Sequence, residues 1–218
     1  MTYRPVRPAI RRTAAEFSAY LFAPAAELRC EAAGDGGCVL VLPAIGRGDA
    51  YTARFRAALD AAGFRSAGWG LGVNLGPTAR LLAGAAARTL ELAAEHGPVD
   101  VVGFSMGGLF ARWLALEHPA SVRRIVTVCS PFREPLASAF LPVRPLAPLW
   151  AGAERLAVRV AARPPAPVTS IYTRRDGIVA WRSCIDPDAP EDCFEIDGAH
   201  VTIAQDPAVL SIVSRRLS

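Results

Sequence analysis

Gly103-Phe104-Ser105-Met106-Gly107 sits at the seam between a β-branched run, Val99-Asp100-Val101-Val102, and an apolar pattern at helical spacing through Leu109, Phe110, Trp113, Leu114 and Leu116. A serine on so sharp a strand-to-helix turn has its hydroxyl pushed clear of the backbone. Only small neighbours fit beside it, which accounts for Gly103 and Gly107. The helix that starts there aims free N–H groups and the positive end of its dipole at the point where an oxyanion would form. A Gly-x-Ser-x-Gly pentapeptide arises by chance in a chain with 18 glycines. Its setting between a strand and a helix that closes at Glu117-His118-Pro119 makes Ser105 a candidate nucleophile.

A serine hydroxyl attacks a carbonyl only when a base takes its proton, and the chain offers three histidines. His96 precedes Gly97-Pro98 and His118 precedes Pro119. Both are helix-end positions that suit a cation and need no further role. His200 lies in Asp197-Gly198-Ala199-His200-Val201, between the last strand pattern and the last helix pattern, and is the candidate base.

The base in turn needs a carboxylate to fix its tautomer and stabilise its charge. Asp176 leaves the strand pattern Val168 to Tyr172 and precedes His200, giving the order Ser, Asp, His; it is the favoured residue. Asp186, Asp188 and Asp192 compete from a proline-broken acidic loop, and Asp197 from a turn beside Gly198. For the oxyanion, one donor is the N–H of Met106, the residue after the nucleophile. The other is assigned to Ile45, in the loop Pro43-Ala44-Ile45-Gly46-Arg47-Gly48. Trp69 and Asn74, in the glycine-rich loop Gly68 to Pro77, and Trp181 are candidate pocket residues.

These residues are spaced along alternating strand and helix patterns. Cys38-Val39-Leu40-Val41-Leu42 reads as the first strand and Ala50 to Ala62 as a helix. Phe64 to Trp69 is the next strand, and Thr78 to Glu95 a long helix rich in Ala and Leu. The elbow strand and helix follow, then strands at Arg124 to Cys129, Val168 to Tyr172 and Cys193 to Ile196, and a last helix over Pro207 to Leu217. Such alternation builds a parallel sheet with helices on both faces, and ligands bind outside the carboxyl ends of its strands. Every candidate loop leaves a strand at that edge. Residues 131–167 are rich in proline and carry Phe132, Leu136, Phe140, Leu141, Leu146, Leu149 and Trp150. An insertion of this length is either a lid over the site or a small helical subdomain.

Taken together, Leu42-Pro43-Ala44-Ile45-Gly46, Gly68-Trp69-Gly70-Leu71-Gly72 with Asn74, the elbow through Gly108, Ser130-Pro131-Phe132, Tyr172 to Val179 with Trp181, and Gly198-Ala199-His200 give a chain that resembles the α/β-hydrolase superfamily, in particular its small bacterial esterase and lipase-like members. The resemblance runs from Cys38 to the end, with Ala44 standing where the family commonly has a glycine. It implies a three-layer α/β fold with a triad of Ser105, Asp176 and His200. It also implies cleavage of carboxylic esters through an acyl-enzyme, without metal or cofactor. Residues 1–37 read as helix and leave no place for the two antiparallel strands that open the full fold, so a reduced, mostly parallel sheet of about six strands is expected. A thioesterase or acyltransferase using the same triad, and a non-catalytic scaffold binding a hydrophobic ligand or partner, are the alternatives.

Composition bounds the rest. A chain of 218 residues, 52% hydrophobic, is long enough for one domain with its own core. The net charge of +4 comes from arginine alone, scattered among Asp and Glu, which argues against a nucleic-acid surface. The doublets Arg11-Arg12, Arg123-Arg124, Arg174-Arg175 and Arg215-Arg216 read as solvated faces and helix ends. Five cysteines make no disulfide framework; Cys129 reads as an inert core residue, while Cys184 and Cys193 flank one loop and pair only if their strands approach. Phe17, Tyr20, Leu21 and Phe22 faintly resemble an export signal, but Glu16 interrupts the apolar run. An amphipathic helix from Ile10 to Arg29 that docks Phe17, Leu21 and Leu28, and a cytoplasmic protein without membrane insertion, are expected. The oligomeric state is left open.

Overall fold

Val39 and Val41 face one side of the first strand while Cys38, Leu40 and Leu42 face the other, and all five are buried, as a strand covered on both sides requires. In a computed structural model, which describes residues 4–6, 8–9, 11–14, 16, 27–135 and 153–218, this strand is β1 (Cys38–Leu42) of a six-stranded sheet. The others are β2 (Arg65–Gly68), β3 (Val99–Phe104), β4 (Val122–Val128), β5 (Val168–Tyr172) and β6 (Cys193–Glu195). The order is β2-β1-β3-β4-β5-β6 and every pairing is parallel. The chain direction across the sheet therefore reverses between β1 and β3, the switch point where such sheets open a crevice.

Among the described residues, α1 (Asp49–Ala61), α2 (Ala79–His96), α3 (Met106–Glu117) and α5 (Pro207–Leu217) cover the two faces, and α4 (Ala153–Ala161) lies outside α3. Phe55 and Leu59 of α1 and Val209, Leu210, Val213 and Leu217 of α5 pack on Val39, Val41, Val102, Phe104, Val126 and Val128. Leu81, Ala85 and Leu92 of α2 and Phe110, Ala111 and Leu114 of α3 pack on Leu40, Leu42, Val99, Val101 and Ile125. Alternate residues of the same strands thus feed two separate cores. Leu28 packs against the first of them, whereas Phe17 and Leu21 lie outside the described residues. Among the described residues no helix is long and apolar enough to cross a membrane.

Of the inserted segment, the described part includes the helix α4, docked on α3. Leu156 and Val160 bury against Leu109 and Phe132, and the buried Arg112 donates to the carbonyls of Val160 (2.6 Å) and Ala162 (2.9 Å) with its guanidinium stacked on Phe132. Leu136, Phe140, Leu141, Leu146, Leu149 and Trp150 fall outside the described residues.

One expectation changes, and one open question is answered. Arg123 and Arg124 do not form a solvated face: both clamp the fully buried carboxylate of Asp100, with contacts of 2.6 to 3.0 Å, because β3 and β4 begin side by side and bring a charge that needs partners. Cys184 and Cys193 are free thiols, as are the other three cysteines. They share a small cluster with Tyr172 and Val179, and the Cys193 thiol is directed to the carbonyl of Ala189.

Candidate active site

The loops that follow β1, β3, β4, β5 and β6 meet along the carboxyl edge of the sheet, and each brings one candidate group. Ser105 directly follows Phe104, the last residue of β3, and directly precedes α3. Its backbone is held at φ 51° and ψ −115°, a conformation a side chain bearing Cβ rarely adopts and one that costs roughly 1–3 kcal/mol. The strain is maintained from three sides. Its N–H donates to the carbonyl of Val128 at 2.7 Å, a Cβ on Gly103 would strike the Gly107 carbonyl, and a Cβ on Gly107 would strike the Leu42 carbonyl. The two glycines therefore bring the elbow against its own strand and against the end of β1.

Asp176 and His200 meet across the β5 and β6 loops. Nδ1 of His200 lies 2.7 Å from Oδ2 of Asp176, and the two residues are 6% and 1% exposed. The other oxygen of Asp176 accepts from the N–H groups of Ile178 (2.8 Å) and Val179 (2.7 Å), so its own turn orients the carboxylate. Burial, the largest single influence on His200, lowers its pKa. The charge of Asp176, the hydrogen bond to it and the charge of Glu16 together outweigh that effect and raise the pKa above the ordinary value. The competing carboxylates are engaged elsewhere: Asp186 accepts from the Asp188 N–H, Asp192 pairs with Arg216, and Asp197 pairs with Arg175 on the surface. His96 and His118 close α2 and α3, just before β3 and β4 begin, and so lie at the opposite edge of the sheet, about 20 Å of strand away.

The loop after β1 carries Ile45. Neither its N–H nor that of Met106, the first residue of α3, donates to another described residue. Asn74 holds this loop in place. Fully buried, it donates from Nδ2 to the Pro43 carbonyl (2.8 Å), accepts at Oδ1 from the Gly76 N–H (2.9 Å), and its main chain exchanges bonds with Gly46 and Arg47. Its polar atoms are thus committed to joining two loops. Trp69 is also fully buried, with its ring edge on to Phe110 and its Nε1 donating to the Gly72 carbonyl. Both side chains are thus packed and hydrogen-bonded within the protein. Trp181 stays accessible: it stacks on Tyr172, Arg174 and Arg182 lie over its ring, and it lines a cavity of about 290 Å³ beside Asp176.

Two residues enter the site that the sequence did not single out for it. Cys129 follows β4, has φ 48°, is fully buried, and its sulfur lies within 4.8 Å of the ligand atoms of Asp176 and His200. Burial, reinforced by the charge of Asp176, pushes its thiol pKa well up. A protonated thiol and an imidazole nitrogen already bonded to a carboxylate make a poor metal set and a well-satisfied hydrogen-bonding one. The signal was available, since Cys129 directly follows a strand at the edge where the other loops meet. Glu16 is 3% exposed and its carboxylate accepts from the main-chain N–H groups of Gly177, His200 and Val201. No local pattern announces a contact made across 184 positions of sequence.

A family model described as the alpha/beta hydrolase fold matches residues 82–170, the stretch from α2 through the elbow to β5. Among solved structures, a lipase from Bacillus licheniformis in its mature form superposes with a TM-score of 0.61 at 14% identity, over 88% of this chain and 96% of that one. One of two metagenome-derived lipolytic enzymes, LipS and LipT, gives 0.58 at 18% identity, over 85% and 93%. The thioesterase domain of a curacin biosynthetic pathway gives 0.51 at 14% identity, over 84% and 92%. No curated protein sequence matches the chain. Identities this low speak to architecture alone, and the architecture agrees with the topology of the sheet and the position of the elbow. The chain has the fold of the α/β-hydrolases.

Proposed function

We propose that the protein is a serine hydrolase that cleaves carboxylic esters through an acyl-enzyme, with Ser105 as nucleophile, His200 as general base and acid, and Asp176 as the carboxylate that orients and charges His200. The observation that carries this reading is the buried Nδ1 to Oδ2 contact of 2.7 Å between His200 and Asp176, at the sheet edge where Ser105 is held in a strained turn. With Nδ1 committed to Asp176, Nε2 is left as the nitrogen that accepts a proton.

The steps follow from that assignment. Ser105 Oγ bonds to the ester carbonyl carbon as its proton passes to His200 Nε2, and the N–H groups of Ile45 and Met106 receive the oxyanion. The tetrahedral species collapses, the C–O bond to the alcohol breaks, and the alcohol leaves with the proton from His200. Water then attacks the acyl-enzyme while His200 takes its proton, and Ser105 leaves with that proton as the acid departs. Met106 also packs against the apolar cluster of Leu109, Phe132, Leu156 and Val160, which gives an acyl chain a hydrophobic wall beside the nucleophile.

Purified protein assayed against p-nitrophenyl esters of graded chain length, with the matching acyl thioesters in parallel, tests the reading. Hydrolysis of the esters with covalent labelling of Ser105 by a fluorophosphonate, both lost in Ser105→Ala, is the expected result. Preference for the thioesters would keep the triad and move the substrate class. Absence of both hydrolysis and labelling would overturn the proposal.

A further inference from the structure

Glu16, helical like residues 11–14, belongs to an N-terminal turn that grips the acid loop and the histidine loop together. Thr13 and Glu16, three positions apart and so on one face of that turn, hold both main-chain groups of Gly177: the Thr13 hydroxyl donates to its carbonyl at 2.6 Å, and its N–H donates to Glu16 Oε1 at 2.8 Å. The same Oε1 accepts from the His200 N–H at 3.0 Å, and Oε2 accepts from the Val201 N–H at 3.1 Å. His200 and Val201 open the 3₁₀ segment His200–Gln205, whose first N–H groups have no partner within the segment. One carboxylate therefore supplies the missing acceptor for the start of that segment and ties it to the residue after Asp176.

The chain is built around this contact. A Cβ on residue 177 would stand 2.6 Å from both the Arg12 carbonyl oxygen and Glu16 Cγ, so only glycine lets the N-terminal turn approach the acid loop. The loops have other ties, Thr173 Oγ1 to the Gly198 carbonyl (3.0 Å) and the Ile196 N–H to the Tyr172 carbonyl (2.9 Å), but these grip neither Asp176 nor His200 at its own position. Around His200 stand Asp176 from the β5 loop, the neutral Cys129 thiol from the β4 loop, Glu16 from the N-terminal turn, and Tyr51 of α1, whose hydroxyl donates to the Val201 carbonyl. Glu16 is thus a second negative charge beside the one imidazole that must become positive.

On the reading given under Proposed function, we propose that Glu16 is a positioning residue for the proposed Asp176 and His200 pair. Its carboxylate fixes the backbone on which each side chain rides and adds charge that favours the imidazolium formed as Ser105 attacks. It touches neither substrate nor the reacting atoms, and acts through His200.

The test compares wild type with Glu16→Gln and Glu16→Asp by two readouts. In the first, the His200 ring is titrated by nuclear magnetic resonance, its signals assigned by their loss in His200→Gln. In the second, the rate of fluorophosphonate labelling of Ser105 is measured against pH. In Glu16→Gln the His200 titration should move to lower pH, and the acid limb of labelling should move with it. The plateau rate should fall about ten- to a hundred-fold as the pair loosens. Glu16→Asp, which keeps the charge on a shorter arm, should restore the titration more fully than the rate. A Glu16→Gln protein that titrates and labels as wild type overturns the proposal. So does a lower melting temperature accompanied by a labelling profile merely scaled down at unchanged pH. Should Glu16→Gln fail to fold, Glu16→Asp is judged by the same two criteria. If the wild-type protein is not labelled at all, the hydrolase reading falls, and the His200 titration alone decides whether Glu16 governs that histidine.

Discussion

Oδ2 of Asp176 and Nδ1 of His200 are 2.7 Å apart although 24 positions separate the residues, and neither side chain has appreciable access to water. In a site so dry, the contact is charge-assisted whenever the ring is protonated and has no solvent to compete with it. Its consequences for pH run in opposite directions for activity and for stability.

On the proposed mechanism activity requires neutral His200, and the folded protein holds its pKa above the ordinary value of about 6.5. The acid limb of kcat/KM on a p-nitrophenyl ester should therefore lie above that pH and fall tenfold per unit below its midpoint. Stability has the other sign. A pKa raised on folding contributes stability that is fully present below the unfolded-state value and fades as pH rises through the folded-state value. His200→Gln should abolish activity, and urea unfolding across the same window should show the wild type losing its advantage over this variant as pH rises.

Asn74 gives a prediction at the loop after β1. Asn74→Ala leaves the Pro43 carbonyl and the Gly76 N–H without their partner in a site sealed from water, a cost of about 1–3 kcal/mol. The same change frees the loop that carries Ile45. Urea unfolding should register the lost stability. Steady-state kinetics on the folded protein should show a fall in kcat larger than the change in KM, since an oxyanion donor acts mainly in the transition state.

Asp100 supplies the contrast. It is as buried as Asn74, but it sits at the start of β3, at the opposite edge of the sheet, between Arg123 and Arg124. Asp100→Ala removes the buried acceptor of two partly buried guanidinium groups, which keep Asp35 and the carbonyls of Arg216, Leu217 and Ser218, and should cost about 1–3 kcal/mol. Yet kcat of the folded fraction should be unchanged, because the strand length separates the cluster from Ser105. Chemical unfolding and active-site titration with a fluorophosphonate distinguish the two effects.

The residues read from local pattern were the ones whose geometry is made locally. Gly103, Ser105 and Gly107 form their turn within five residues, and the alternation of Val39 and Val41 with Leu40 and Leu42 declares a strand buried on both faces before any partner is known. The order of strands and helices then put Ser105, Asp176 and His200 at one edge and the other two histidines at the opposite one.

Local pattern says nothing of the direction of side chains in a loop without periodicity. Trp69 and Asn74 follow β2 in a run of glycines, and nothing in that run says whether an indole or an amide faces the cleft or the core. The tertiary structure turns both inward, where Phe110 offers the indole a ring and the Pro43 carbonyl needs a donor.

The sequence by itself determined the elbow, the order of the sheet-forming units and the short set of groups able to do chemistry, because these depend on periods of two and 3.6 residues and on turns a few residues long. Only the tertiary structure decided which carboxylates reach His200. Asp176 arrives from the neighbouring strand, Glu16 from the far end of the chain, and Asp186, Asp192 and Asp197 are drawn off by partners of their own. That choice is made by contacts between distant segments, whose hydrogen bonds have no counterpart in the spacing of residues along the chain.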